Sequence, residues 1–260
     1  MKLVFYKYHG TGNDFIIIDN RENIIVLNHD QVKNLCDRRF GIGADGLMLM
    51  NPHADFDFEM IYYNADGNYG SMCGNGGRCM IQFAYDRGLH KSEYLFKASD
   101  GDHKATIESN GWIDLKMKDV NHVEIVSFTD FVLDTGSPHY IKPVTDIGNV
   151  DVFQDGREIR NNKRFAEEGI NVNFVEVRED GNICVRTYER GVEDETLSCG
   201  TGVTASALVF AHNYNGFNRV GVKTKGGSLA VEFDKVADTS FKDIWLCGPA
   251  TFVFKGEIEI

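Results

Sequence analysis

Ser71-Met72-Cys73-Gly74-Asn75-Gly76-Gly77 and Leu197-Ser198-Cys199-Gly200-Thr201-Gly202 are two copies of one phrase. Each is a cysteine followed by Gly-x-Gly, and each opens a stretch with helical character. A cysteine at a helix start meets the positive end of the dipole and unpaired backbone N–H groups, which favour thiolate. The glycines let a ligand approach the main chain, and the N–H groups suit a carboxylate. Two such units facing each other across one small acid would set sulfur on both sides of one carbon. A reaction in which a proton leaves one face and returns on the other needs that layout.

The flanks of the two phrases also match. Before the first lie a strand at Phe56 to Tyr63 and a turn at Asn64-Ala65-Asp66-Gly67. Before the second lie a strand at Ile183 to Tyr188 and a turn at Tyr188-Glu189-Arg190-Gly191. Asn64 stands nine residues before Cys73, and Glu189 ten before Cys199. After each cysteine a helix is expected, one to about Arg87 and closed by Gly88, the other to about Tyr214 and stopped near Gly216. Further strands are read at Lys2–Tyr8, Phe15–Asp19, Leu47–Met50, Leu95–Ala98, Lys104–Glu108, Trp112–Met117, Phe131–Thr135 and Ile170–Arg178. Two more helices are read at His29–Arg39, with Asn28 as cap, and at Arg157–Glu168. An internal duplication explains this order. It implies two similar lobes with a ligand site in the cleft between them. The junction is placed near Asp119 to Val123.

Composition narrows the function classes. The 260 residues allow one large domain or two of ordinary size. Hydrophobic content of 42% and charged content of 25% are those of a soluble globular protein. No apolar run is long enough to cross a membrane. A net charge of −12 argues against nonspecific nucleic-acid binding. The chain opens on the strand-like Met1-Lys2-Leu3-Val4-Phe5 rather than on a secretory signal, so reduced thiols in the cytoplasm are expected. The six cysteines (Cys36, Cys73, Cys79, Cys184, Cys199, Cys247) include no Cys-x-x-Cys, and Cys73 and Cys79 are badly spaced for metal, so no metal site is assigned. Gly41-Ile42-Gly43-Ala44-Asp45-Gly46 fits the dinucleotide pattern Gly-x-Gly-x-x-Gly. A helix precedes it and a strand follows, the reverse of what that pattern requires. No Gly-x-Ser-x-Gly elbow marks a serine hydrolase.

The chain resembles the diaminopimelate epimerases, cofactor-independent amino-acid isomerases. The matching segments begin at His9-Gly10-Thr11-Gly12-Asn13-Asp14-Phe15 and end at Gly248-Pro249-Ala250-Thr251. Between them lie Arg39-Phe40-Gly41-Ile42-Gly43-Ala44-Asp45, Asn64-Ala65-Asp66-Gly67, Cys73-Gly74-Asn75-Gly76, Tyr188-Glu189-Arg190-Gly191 and Cys199-Gly200-Thr201-Gly202. Proline racemases share the two-cysteine design, but the segments at Asn64 and Tyr188 point to the epimerase branch.

The resemblance implies an α/β (α+β) fold of two lobes, each a curled, mainly antiparallel sheet around a central helix. Residues 1–119 with 249–260 would form one lobe, and 120–248 the other. It also implies conversion of LL-2,6-diaminoheptanedioate to the meso form, for lysine and peptidoglycan precursors, with no cofactor. Cys73 and Cys199 would be the acid and base. His139 would tune Cys73, and Glu189 would tune Cys199. Gly74, Asn75, Gly200 and Thr201 would offer main-chain N–H groups to the carboxylate. Asn13, Asn64, Asn171, Glu189 and Arg190 would hold the substrate, with Arg190 suited to the distal carboxylate.

Taken from the residues alone, His139 is a turn residue after Pro138, Glu189 a strand-end charge, and Asn13 and Asn64 turn residues. The chain has Gly46 where the family often has Gln, and Ser137 where it often has Asn. Phe254 stands where the family has a dimer-contacting Tyr, a departure that counts against the homodimer the resemblance implies without removing that expectation. Other readings are a histidine- or proline-type racemase, told apart by substrate, and a non-catalytic or thiol-redox protein. Redox proteins usually place the reactive pair close in sequence, unlike Cys73 and Cys199.

Overall fold

The computed structural model of the protein describes residues 2–211 and 214–260. By their contacts the residues divide into two compact units, Met1–Leu115 with Gly248–Ile260, and Lys116–Cys247.

In the first unit the strands are β1 (Lys2–Gly10), β2 (Asn13–Asp19), β3 (Gly46–Asn51), β4 (Phe58–Asn64), β5 (Glu93–Ala98), β6 (Gly101–Ile107) and β7 (Ile113–Lys116). They pair in the order β1-β2-β3-β4-β5-β6-β7, with β2–β3 and β4–β5 parallel and the rest antiparallel. Helix α1 (His29–Cys36) makes the first parallel crossover and α2 (Gly74–Asp86) the second. Both faces of the central strands are covered. Ile16, Ile18, Leu47 and Leu49 form one cluster with Val32 and Leu35 of α1. On the other face, Phe15 and Met48 lie under the first turn of α2, and Tyr6 and Tyr8 meet its Phe83. Strands buried on both faces read as unbroken apolar runs, as Phe15-Ile16-Ile17-Ile18 does.

The second unit uses β8 (Glu124–Ile125), β9 (Phe131–Asp134), β10 (Pro138–Pro143), β11 (Asn171–Val177), β12 (Ile183–Glu189), β13 (Asp194–Thr196), β14 (Gly216–Thr224), β15 (Gly227–Ala237) and β16 (Ser240–Gly248). From β9 the pairing runs β9-β10-β11-β12-β14-β15-β16, again with the second and fourth pairs parallel. Helix α3 (Val152–Arg160) covers Tyr140, Val172, Phe174 and Tyr188. Helix α4 (Gly200–Val209) buries Val203, Ala205, Ala207 and Leu208 against Ile141, Val175 and Val185. The same order of pairing senses and the same helix insertions occur in both units, so the duplication is architectural. Even the extra hairpin has a counterpart: β13 pairs with β12, and Tyr69 bridges back to Tyr63. Each sheet carries one further antiparallel strand beside its first. In the second unit this is the adjacent β8; in the first it is β17 (Thr251–Glu259), from the far end of the chain.

Several element ends differ from the sequence reading. Helix α1 stops at Cys36, because the Asp37 carboxylate takes the N–H groups of Arg39 and Phe40. Helix α3 begins earlier than Arg157, at the cap Asp151, whose side chain accepts from Gln154 N at 3.1 Å. It ends at Arg160; Asn162 then organises turns by accepting from Arg164 and Phe165. Pro138, read as part of a turn, opens β10, a position where a strand tolerates proline. Helix α4 ends at Val209, and the part of its expected extent at His212 and Asn213 lies outside the described residues.

Candidate active site

Cys73 is the N-cap of α2, in extended conformation (φ −106°, ψ 127°), with no side-chain capping bond. The Cys73 side chain therefore does not itself take the first-turn N–H groups. The Cys73 thiol donates to Asn13 Oδ1 at 3.5 Å, and Asn75 Nδ2 donates to the same oxygen at 3.3 Å. The Asn13 amide is oriented by Asp45, which can only accept: Nδ2 reaches Asp45 Oδ2 at 2.7 Å. Behind Asn13, Asp14 pairs with Lys7 at 2.7 Å and Arg38 at 2.7 Å. Burial would raise the Asp14 carboxyl, but hydrogen bonds from Arg38 and Lys7 outweigh it and hold the carboxyl below the usual range. Below Asn75 lies the fully buried Arg78, which donates to Asn75 Oδ1 at 2.8 Å and to Gly74 O at 3.4 Å.

Cys199 is likewise the N-cap of α4 (φ −107°, ψ 111°) without a side-chain capping bond. Its sulfur lies 3.5 Å from Thr201 Oγ1, which lies 2.9 Å from His139 Nε2. Asn173 Nδ2 lies 3.1 Å from His139 Nδ1 and donates to Tyr140 O at 3.1 Å, while Asn173 Oδ1 accepts from Thr187 Oγ1 at 2.9 Å. His139 is wholly buried, and burial first, then the charge of Arg190, lowers its pKa to about 3. The ring is therefore neutral at physiological pH.

A third group gathers around Asn171. Its Nδ2 donates to Ser137 Oγ at 2.9 Å and to Pro138 O at 3.1 Å, while its Oδ1 accepts the Arg190 N–H at 2.9 Å. The exposed Arg190 guanidinium donates to Glu168 O at 3.1 Å and to Ser137 Oγ at 3.3 Å. Glu189, half-buried, ends β12 opposite Asp194. Asn64 ends β4 in register with Gly46. Gly46 has no room for a side chain, because a Cβ there would meet the Tyr62 ring at 2.5 Å and Tyr63 O at 2.7 Å.

The structure thus brings together Cys73, Asn13, Gly74 and Asn75; Cys199, Gly200, Thr201 and His139; and Ser137, Asn171 and Arg190. His139, expected to tune Cys73, bonds Thr201 in the Cys199 turn, because β10 sets it beneath Gly202 in the first turn of α4. Sequence reasoning missed Asn173 and Thr187. A partial signal existed for Asn173 alone: Asn171-Val172-Asn173 sets two amides on one face of a strand whose first five residues are buried, and a buried amide needs partners. Cys36 and Cys79 lie buried in the first unit. Burial pushes the Cys36 thiol up to about 12 and raises that of Cys79 still further from its ordinary value.

The duplicated α/β architecture is a fold with solved members. A phenazine biosynthesis protein of the PhzF family from Bacillus anthracis shares it at TM-score 0.77 and 16% identity, covering all of both chains. A hydroxyproline epimerase from Agrobacterium vitis, with bound trans-4-OH-L-proline, shares it at TM-score 0.70 and 15% identity, over 99% of this chain and 92% of the other. The family model for diaminopimelate epimerase matches residues 5–123 and 131–253. A Flavobacterium psychrophilum protein named diaminopimelate epimerase is 48% identical over 99% of this chain and all of its own length. One of the same name from Chlorobaculum tepidum is 42% identical over 96% and 99%. The chain belongs to the diaminopimelate epimerase family.

Proposed function

We propose that the protein epimerises LL-2,6-diaminoheptanedioate to the meso form, in the supply of lysine and peptidoglycan precursors. The observation that carries this is the repeated one: in each unit a cysteine caps a buried helix whose first-turn N–H groups its side chain leaves open. An amino-acid α-proton is a weak acid. Removing it without an electron sink requires a positioned base and donors for the charge that builds on the carboxylate. Main-chain N–H groups of Gly74, Asn75, Gly200 and Thr201 supply the donors. In this reading one of Cys73 and Cys199 takes the α-proton as thiolate, and the other, as thiol, gives a proton to the opposite face of the carbon. The reverse reaction exchanges their roles. Glu189 and His139 tune the pair. The distal zwitterion is held by Asn13, Asn64 and Asn171, with Arg190 on its carboxylate. The reaction needs no cofactor.

The setting we propose is the cytoplasm, where the six free thiols stay reduced. Among the described residues no helix is long and apolar enough to cross a membrane. The half-exposed run Phe252, Val253 and Phe254 supports a homodimer formed through β17.

The test is solvent exchange. In deuterium oxide the purified protein should place deuterium at one α-carbon of LL-diaminopimelate and form the meso isomer, leaving histidine and proline untouched. Exchange into either control instead would replace this substrate.

A further inference from the structure

Hydrogen-bond polarity at the second cysteine is fixed by a chain of groups that leads into the β-sheet. It begins at Tyr140 O, which can only accept. That carbonyl orients the Asn173 amide, so both hydrogens of Nδ2 are assigned: one to Tyr140 O and one to His139 Nδ1. The hydroxyl of Thr187 on Asn173 Oδ1 agrees with this orientation. Nδ1 of the neutral His139 ring is thus an acceptor, and the ring proton resides on Nε2. Nε2–H donates to Thr201 Oγ1, leaving that hydroxyl to turn its own hydrogen toward Cys199 Sγ. Gly202 permits the arrangement, because any Cβ there would collide with Asn173 Oδ1.

We propose that Asn173, acting through His139 and Thr201, is a positioning residue that keeps a hydrogen-bond donor on the Cys199 sulfur and so stabilises its thiolate. The inference deepens the proposed function and rests on that reading for its catalytic meaning. The donor lowers the free energy of the charged form of Cys199 and leaves that of the neutral form nearly unchanged. The charge of Arg190 adds to burial in keeping the His139 ring neutral. Cys73 differs in that its thiol donates to Asn13 Oδ1.

Alkylation by iodoacetamide reads the thiolate fraction directly, and peptide mass spectrometry separates Cys73 from Cys199. In the full chain at pH 7, Thr201→Val should slow Cys199 alkylation about tenfold, equivalent to a rise of about one pH unit in its inflection. Thr201→Ser, which keeps the hydroxyl, should restore the wild-type rate. Asn173→Asp presents an acceptor to Nδ1, moves the ring proton there and turns Nε2 into an acceptor. It should slow Cys199 as much as Thr201→Val does. Cys73 should change less than about twofold in all three. Unchanged Cys199 alkylation in Thr201→Val, or an equal fall at both cysteines, overturns the relay. Solvent exchange into LL-diaminopimelate by a protein with an indifferent Cys199 would discard the relay alone. The full alkylation pattern without exchange would uphold the relay and discard the substrate.

Discussion

Under the second glycine of each Cys-Gly-x-Gly turn the two units place different chemistry at corresponding positions. In the first unit Phe15 pairs with Gly46 and Ile17 with Met48; in the second His139 pairs with Asn171 and Ile141 with Asn173. Phe15 thus corresponds to His139, and Met48 to Asn173. A Cβ on Gly76 would meet Met48 Sδ at 3.2 Å and Phe15 Cζ at 3.5 Å, whereas a Cβ on Gly202 would meet Asn173 and His139. One backbone design carries an apolar floor in one copy and a hydrogen-bonded floor in the other. Asn13 and Ser137 also correspond, each two residues before the floor residue. Asn13 bonds the cysteine turn itself, and Ser137 bonds Asn171 and Arg190. Duplication conserved the helix-capping cysteine, while the support beneath it diverged.

If both copies remain indispensable despite this divergence, Cys73→Ala and Cys199→Ala should each reduce epimerisation by at least about 10³-fold with folding intact. A coupled assay and circular dichroism check this. Near wild-type turnover in either variant would make that cysteine structural. Next, Gly202→Ala should destabilise by about 2–3 kcal/mol in urea titration, since Asn173 cannot yield without breaking its bonds. Gly76→Ala should cost under about 1 kcal/mol, because the Met48 side chain is flexible and alanine gains helix propensity. Equal costs would dissolve the distinction between the floors.

The histidine also gives the second floor a pH dependence that the first lacks. Its folded pKa of about 3 lies below the unfolded value, so the unfolded chain binds the extra proton between the two. Stability from this residue is complete above about pH 6.5 and falls as pH drops toward about 3, by about 2 kcal/mol between pH 7 and pH 5. His139→Phe, which copies Phe15 into the second unit, should remove that slope. Urea midpoints at the two pH values decide it, and an unchanged slope would assign the loss elsewhere. Ser137→Ala should lower stability by about 0.5–1 kcal/mol, as it withdraws one acceptor from two donors that keep other partners. A thermal shift above that range would give Ser137 a larger role.

How far sequence carried the reading depended on the range of the interaction. The cysteine phrases, the glycines and Asn28 act within a few residues, so their pattern named two helix starts and one cap. The early strands were readable because both of their faces are buried. Helix α3 was misplaced because Asp151 competes with a charged, helix-favouring stretch further on, and only tertiary packing of Val152 settles the start. The long strands β14 to β16 went unassigned, since polar residues alternate through them. Asn173 and Thr187 were missed for a related reason: their meaning lies in cross-strand register, which one chain read linearly does not display.

Strand β17 pairs with β1 from Lys2 to His9, although more than two hundred residues separate them. A ribosome releases residues 1–115 first, yet the sheet of that unit keeps an unpaired edge at β1 until β17 emerges. The second unit is contiguous in the chain and can close as soon as Cys247 is free. Synthesis therefore reverses the usual order, in which the N-terminal domain folds first. Until β17 is synthesised, the β1 edge is an open template for strand addition, and a nascent chain stalled before β17 would be the form most exposed to mispairing.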